Sequence, residues 1–70
     1  MSLSARNRLS GTVQSVETDG LMAEVEIELD ADQVVTAVIT AGSVESLGVE
    51  EGTELDAVIK ATEVMVETED

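Results

Sequence analysis

Three cationic side chains, Arg6, Arg8 and Lys60, stand against sixteen acidic ones in this chain of 70 residues. They occupy two short stretches rich in hydroxyls and amides, Ser4-Ala5-Arg6-Asn7-Arg8-Leu9 and Ile59-Lys60-Ala61-Thr62. Arginine presents a planar fork of N–H donors that matches paired oxygens, and lysine presents a compact point charge. Hydroxyls and backbone N–H groups complete a donor shell suited to an oxyanion. With a formal net charge of −13, a cation set beside such donors is placed to hold something negative. The competing explanation is that the three cations pair with some of the many carboxylates, and surface pairs of that kind contribute little. On composition alone, pairing is the simpler of the two.

The chemistry available is binding, not transformation. The chain has no histidine and no cysteine, so a zinc or other soft-metal site lacks its ligands. Isolated Ser and Lys residues without an orienting partner do not make a nucleophile, and no organised acid–base pair is present. An enzyme is therefore the weakest reading. Nucleic-acid binding is disfavoured twice: there are no aromatic residues to stack on bases, and the acidity removes the surface that neutralises phosphates.

Period-2 alternation identifies the elements that must position the cations. In Leu21 to Leu29, the residues Leu21, Ala23, Val25, Ile27 and Leu29 share one face, and Glu24, Glu26, Glu28 and Asp30 share the other. That is a strand of an antiparallel sheet with one wet side. The acidic row reads as that wet side, with a weak calcium site as the alternative. Leu9 to Thr18 reads as the strand before it, with Gly11 marking a bulge or a close backbone contact. Asp19-Gly20 joins the two as a hairpin. After a turn at Asp30-Ala31-Asp32 comes a third strand, Gln33 to Ile39, whose near-continuous apolar run predicts burial on both sides, against another subunit. Ser43 is the expected N-cap of one helical turn, Val44 to Leu47, ended by Gly48. Thr53 to Lys60 is a fourth strand with Leu55, Ala57 and Ile59 facing in. Glu63 to Val66 reads as a fifth, and 67–70 as a frayed acidic tail. The expected fold class is all-β, a small five-stranded barrel with one short helical turn after the third strand.

On extended backbone Ser4, Arg6 and Arg8 share a face, with Asn7 opposite. Lys60 and Thr62 share the face opposite Leu55, Ala57 and Ile59. The break at Thr40 to Ser43 adds the N–H groups that open a helical turn, which favour anions. Whether folding or assembly joins these three groups is not written in the local pattern.

Seventy residues make a single domain, and a chain of this size buries only about 60% of its unfolded surface, so a lone monomer is marginal. Without cysteine there is no disulfide to compensate, and self-association is the expected remedy. The apolar share of 43% and its periodicity argue for folding over disorder. No stretch resembles a signal peptide or approaches the length of a membrane span, so the chain is expected in the cytoplasm, away from membranes. The acidity reads as a solubility device and suggests a source with a salty, halophilic cytoplasm, where salt screens the self-repulsion.

Ser4 to Val13 (Ser-Ala-Arg-Asn-Arg-Leu-Ser-Gly-Thr-Val), Val35 to Thr40 (Val-Thr-Ala-Val-Ile-Thr), Ser43, Leu47-Gly48 and Ile59 to Val64 (Ile-Lys-Ala-Thr-Glu-Val) together resemble the molbindin, or Mop domain, family. The resemblance runs from about Leu3 to Val66, and the Ser-Ala-Arg-Asn and Ile-Lys-Ala-Thr segments are its specific parts. It implies an OB-like barrel that exchanges an N-terminal strand with a partner and assembles as a homo-hexamer, a trimer of dimers. It also implies non-catalytic binding of molybdate or tungstate at subunit interfaces, without an organic cofactor. Carried over by motif, the oxyanion ligands are Ser4, Arg6, Thr40, Lys60 and the backbone of Ala61, with Asn7, Arg8, Ser43 and Thr62 in support. Some members carry Ser where this chain has Ala61, which removes one hydroxyl donor. A second class of site near the three-fold axis is implied without assignable residues. The alternative function is a structural oligomerisation or interaction module whose anion site is weak or vestigial.

Overall fold

The computed structural model describes residues 6–68. Two alternating runs form the long strands β1 (Asn7–Asp19) and β2 (Met22–Glu28), paired antiparallel from Thr12↔Glu28 to Asp19↔Met22. The hairpin between them turns on Gly20 and Leu21, and Gly20 takes φ 65°, a conformation that suits glycine at the first central position of a tight hairpin turn. Leu21 therefore leaves the strand and stands 85% exposed, instead of joining the inner row with Ala23, Val25 and Ile27.

β3 (Val34–Thr40) pairs with β2, and β4 (Glu54–Ile59) pairs with the first half of β1, giving one antiparallel sheet in the order β3-β2-β1-β4. β1 thus serves two partners, β4 from Asn7 to Thr12 and β2 from Thr12 onward. The register slips between Val13 and Ser15, so Gln14 is an extra residue on β1. Such a bulge bends the strand and strengthens its twist, and the sheet curls into a half-barrel around Val13, Val25, Ile27, Val49 and Ala57. Gly11, three residues before, is the close contact and not the bulge. A Cβ there would lie 2.6 Å from the Glu28 carbonyl oxygen and 2.7 Å from Ile27 Cγ2.

The helix is longer than the expected single turn. α1 spans Ala41–Leu47, and its N-cap is Thr40, whose Oγ1 accepts from the Ser43 N–H at 3.0 Å. Ser43, the expected cap, lies inside the first turn. Gly48 closes the helix with φ 68°, as its position predicts, and Val49 drops back into the core.

Within one chain β3 buries one side: Val35, Ala37 and Ile39 are half-buried, while Val34 and Val38 are 44% and 63% exposed. Among the described residues nothing covers that outer face, the one expected to lie against another subunit. One expectation is corrected. The fifth strand does not form at Glu63–Val66. Instead Ala61–Glu63 is a 3-10 turn, with the Glu63 N–H bonded to the Lys60 carbonyl at 2.9 Å, and residues 64–68 belong to no strand. That turn redirects the backbone before it can lie along a neighbour. Among the described residues the sheet is consequently a four-stranded, open half-barrel, with β3 and β4 as its edges and an apolar cleft between them lined by Val35, Ile39, Leu47, Val49, Leu55 and Ile59.

Candidate functional site

The ladder between β1 and β4 ends at Asn7↔Ile59 and Arg8↔Val58. Asn7 adds a side-chain clamp, Nδ2 donating to the Ile59 carbonyl oxygen at 3.2 Å in a partly buried position. Arg6 is the next residue on one side of this pair and Lys60 the next on the other. The two cationic stretches, 54 positions apart in number, are therefore joined at one end of the sheet within one chain. Lys60 leaves the strand with φ −65° and ψ 139° and heads the 3-10 turn of Ala61, Thr62 and Glu63. The first N–H groups of a helical turn have no acceptor inside it, so Ala61 and Thr62 present theirs beside the lysine.

Alternation sorts the rest of this end. Leu9 and Gly11 pair with Ala57 and Leu55 on the inner side, while Arg8, Ser10 and Thr12 pair with Val58, Asp56 and Glu54 on the outer side. Arg8 belongs to the outer row, and its Nη1 lies 3.8 Å from Asp56 Oδ2, both side chains well exposed. Ser10 Oγ donates to the other oxygen of the same carboxylate at 2.9 Å. That is the only ion pair among the described residues; Arg6 and Lys60 form none. The two explanations of the cations thus divide between them. Carboxylate pairing holds for Arg8, and Arg6 with Lys60 keep their charge available at the mouth of the strand pair.

Thr40 and Ser43 lie elsewhere. Thr40 pairs with Met22, which pairs with Asp19, the far end of β1. Along the bent strand, Asn7 and Asp19 are twelve residues (13 − 1) apart. The two hydroxyls bond to each other: Thr40 Oγ1 donates to Ser43 Oγ at 2.8 Å while accepting from the Ser43 N–H. Ser43 retains its own hydroxyl proton to donate. Of the expected set, one chain brings together Arg6, Asn7, Arg8, Lys60, Ala61 and Thr62, and it carries Thr40 and Ser43 at the other end. Ser4 lies outside the described residues.

The acidic row of β2 behaves as a wet face. Glu24 stands opposite Glu17, Ser15 Oγ donates to Glu26 Oε1 at 3.1 Å, and no cluster of acidic side chains among the described residues is arranged to hold a metal ion. The residue that sequence reasoning passed over is Asp56. Its alternation with Glu54 places it on the outer side of β4, but only the register with β1 reveals that it faces Ser10 and reaches Arg8.

The TOBE domain family matches residues 3–66. Molybdenum-pterin-binding protein 3 of Clostridium pasteurianum is 52% identical over 66 residues, covering 94% of this chain and 97% of that protein. Among solved structures, MopII from Clostridium pasteurianum superposes with a TM-score of 0.89 at 45% identity, covering 96% of this chain and all of that one (100%). A molybdate-binding protein from Sporomusa ovata superposes with a TM-score of 0.91 at 32% identity, covering 97% of this chain and 100% of its own. With a TOBE match over nearly its whole described length and full-length likeness to these proteins, the chain belongs to the TOBE domain family, in the molbindin (Mop) branch that its two cationic segments resemble.

Proposed function

We propose that the chain is a non-catalytic store for molybdate or tungstate, held as the tetrahedral oxyanion between copies of the chain in the cytoplasm. One observation carries the reading: in a chain of net charge −13, the Asn7–Ile59 clamp sets Arg6 and Lys60, the two cations with no carboxylate partner among the described residues, at the same end of one strand pair. Arg6, Lys60, the Ala61 N–H and Ser4 form the cationic half of the site. Thr40, with Ser43, sits at the opposite end of β1 along the ladder, and in this proposal the hydroxyl half comes from a second copy. This makes self-assembly part of binding, in line with a hexamer built as a trimer of dimers. Exchange of the N-terminal strand belongs to the same proposal. No helix among the described residues is long and apolar enough to cross a membrane.

The ligand proposed is the bare oxyanion, although the clostridial relative is named for a molybdenum–pterin. Donors such as guanidinium, ammonium and N–H suit the oxygens of the anion, and the chain has no aromatic residue to stack against a pterin ring. Equilibrium dialysis against molybdate, with sulfate as the control anion, tests the reading. Lys60→Ala is expected to weaken binding roughly tenfold to a hundredfold, the worth of a charge-assisted bond of about 1.5–3 kcal/mol. Unchanged affinity in Lys60→Ala rules out this site.

A second reading, an assembly module with a vestigial anion site, is favoured by the apolar cleft between β3 and β4 and by the exposed Val34 and Val38. Sedimentation of the chain with and without molybdate separates the two. An oligomer that forms equally well in both cases and retains no oxyanion supports the module.

A further inference from the structure

We propose that Asp56 is a built-in counter-anion that positions Arg8 and thereby sets the affinity and salt response of the oxyanion site. The inference rests on the oxyanion reading of the Arg6–Lys60 end. Arg6, the residue just before β1, is two positions from Arg8 in the same alternation, about 7 Å along extended chain. An arginine side chain spans that distance easily, so Arg8 is within reach of an anion held by Arg6 and Lys60. In the structure it points the other way, toward Asp56 Oδ2 at 3.8 Å. Asp56 is itself held in place by Ser10 Oγ at 2.9 Å. The hollow beside this pair is lined by Ser10, Thr12, Asp30, Glu54 and Asp56, three of them carboxylates. Its negative field reinforces the same orientation of the guanidinium.

The bound dianion and Asp56 therefore compete for one cation. The competition is weak by design of its geometry: the Arg8 and Asp56 side chains are 60% and 44% exposed, and the contact is long. A pair this exposed is readily screened by salt. Added salt weakens the attraction of the dianion for Arg6 and Lys60, but it also loosens the hold of Asp56 on Arg8. The two effects oppose each other, and the affinity falls less with salt than the charge of the ligand alone requires.

The test is a molybdate titration by calorimetry on the assembled protein, at low and at high salt. It uses the wild-type chain, Asp56→Asn, Arg8→Gln, the double variant, and Glu54→Gln as a control for net charge. Asn at 56 keeps an acceptor for Ser10, and a thermal melt of each variant verifies folding. Asp56→Asn is expected to tighten molybdate binding about three- to tenfold at low salt, and to steepen the salt dependence. Most of that gain disappears in the Arg8→Gln background, and Glu54→Gln produces much less of it. Three results overturn the inference alone: no gain in Asp56→Asn, an equal gain with Arg8→Gln, or an equal gain in Glu54→Gln. The last two make the effect one of general field, without positioning. Failure of the wild-type chain to bind molybdate overturns the site itself, and this inference with it.

Discussion

The two halves of β1 put the same kind of backbone to opposite uses. From Asn7 to Thr12 it lies against β4, and its outer side carries Arg8 and Ser10, with Arg6 and Lys60 at the open end. From Ser15 to Asp19 it lies against β2, and its outer side meets Glu24 and Glu26, with Glu17 opposite Glu24. The first half gathers every cation of the chain, and among the described residues two of the three have no carboxylate partner. The second half stacks like charges across the ladder with no cation to offset them. Like charges directly opposite are mildly destabilising in a sheet, so the acidic half gives up some stability for solubility, whereas the cationic half, on the proposed function, keeps charge free for a ligand to compensate. Net charge describes the second half and says almost nothing of the first.

Removing a cation from the proposed ligand end should break this contrast most clearly. Besides Lys60→Ala, Arg6→Ala is expected to reduce molybdate affinity by at least tenfold while leaving the melting temperature within a degree or two, because Arg6 is exposed and unpaired among the described residues. Gly11→Val attacks the strand that both halves share. Its Cβ meets backbone at 2.6 Å, and overpacking there is expected to cost about 1–3 kcal/mol or more in chemical denaturation. Asn7→Ala separates stability from binding. Loss of the clamp on Ile59 should lower stability by about 1 kcal/mol, yet weaken molybdate by a larger factor, because Arg6 and Lys60 are no longer held in register. Equal, small effects on both quantities would mean that the ladder alone sets the spacing. The smallest effect belongs to the acidic half: Glu24→Gln should stabilise the chain by a few tenths of a kcal/mol at low salt, with the gain fading as salt rises, and should leave anion affinity nearly unchanged.

Much of this contrast is legible in the sequence, and the boundary follows from what is local. Alternation in 21–29 locates β2 and its wet face, Asp19-Gly20 locates the hairpin, and Gly48 locates the end of α1, because each depends on neighbours in the chain. Thr40 and Ser43 are both good caps. The choice of Thr40 follows from β3 continuing one residue further than its apolar run, to pair with Met22. The fifth strand fails for a related reason. Glu63 to Val66 has strand-like residues, but a strand needs a partner, and the turn at Ala61 removes it from its own sheet. The motif residues at 6 and 60 are visible as types. Their meeting, the distance of Thr40 from them, and the capture of Arg8 by Asp56 depend on register between segments nearly the full chain apart, which no local pattern encodes.

The extra residue at Gln14 has a consequence for how the chain tolerates changes in length. Before it, odd-numbered residues of β1 face the core (Leu9, Gly11, Val13); after it, even-numbered ones do (Val16, Thr18). Deleting Gln14 leaves Val13 inward, Ser15 outward and Val16 inward, a plain strand that keeps both faces and loses only the bend. Deleting a single residue between Val16 and Asp19 has no such slack, since a one-residue slip reverses every side chain beyond it and turns acidic or turn residues toward the core. The bulge is therefore the one place along β1 where a codon-sized deletion can be absorbed, and lengths on either side of it are free to vary only in twos.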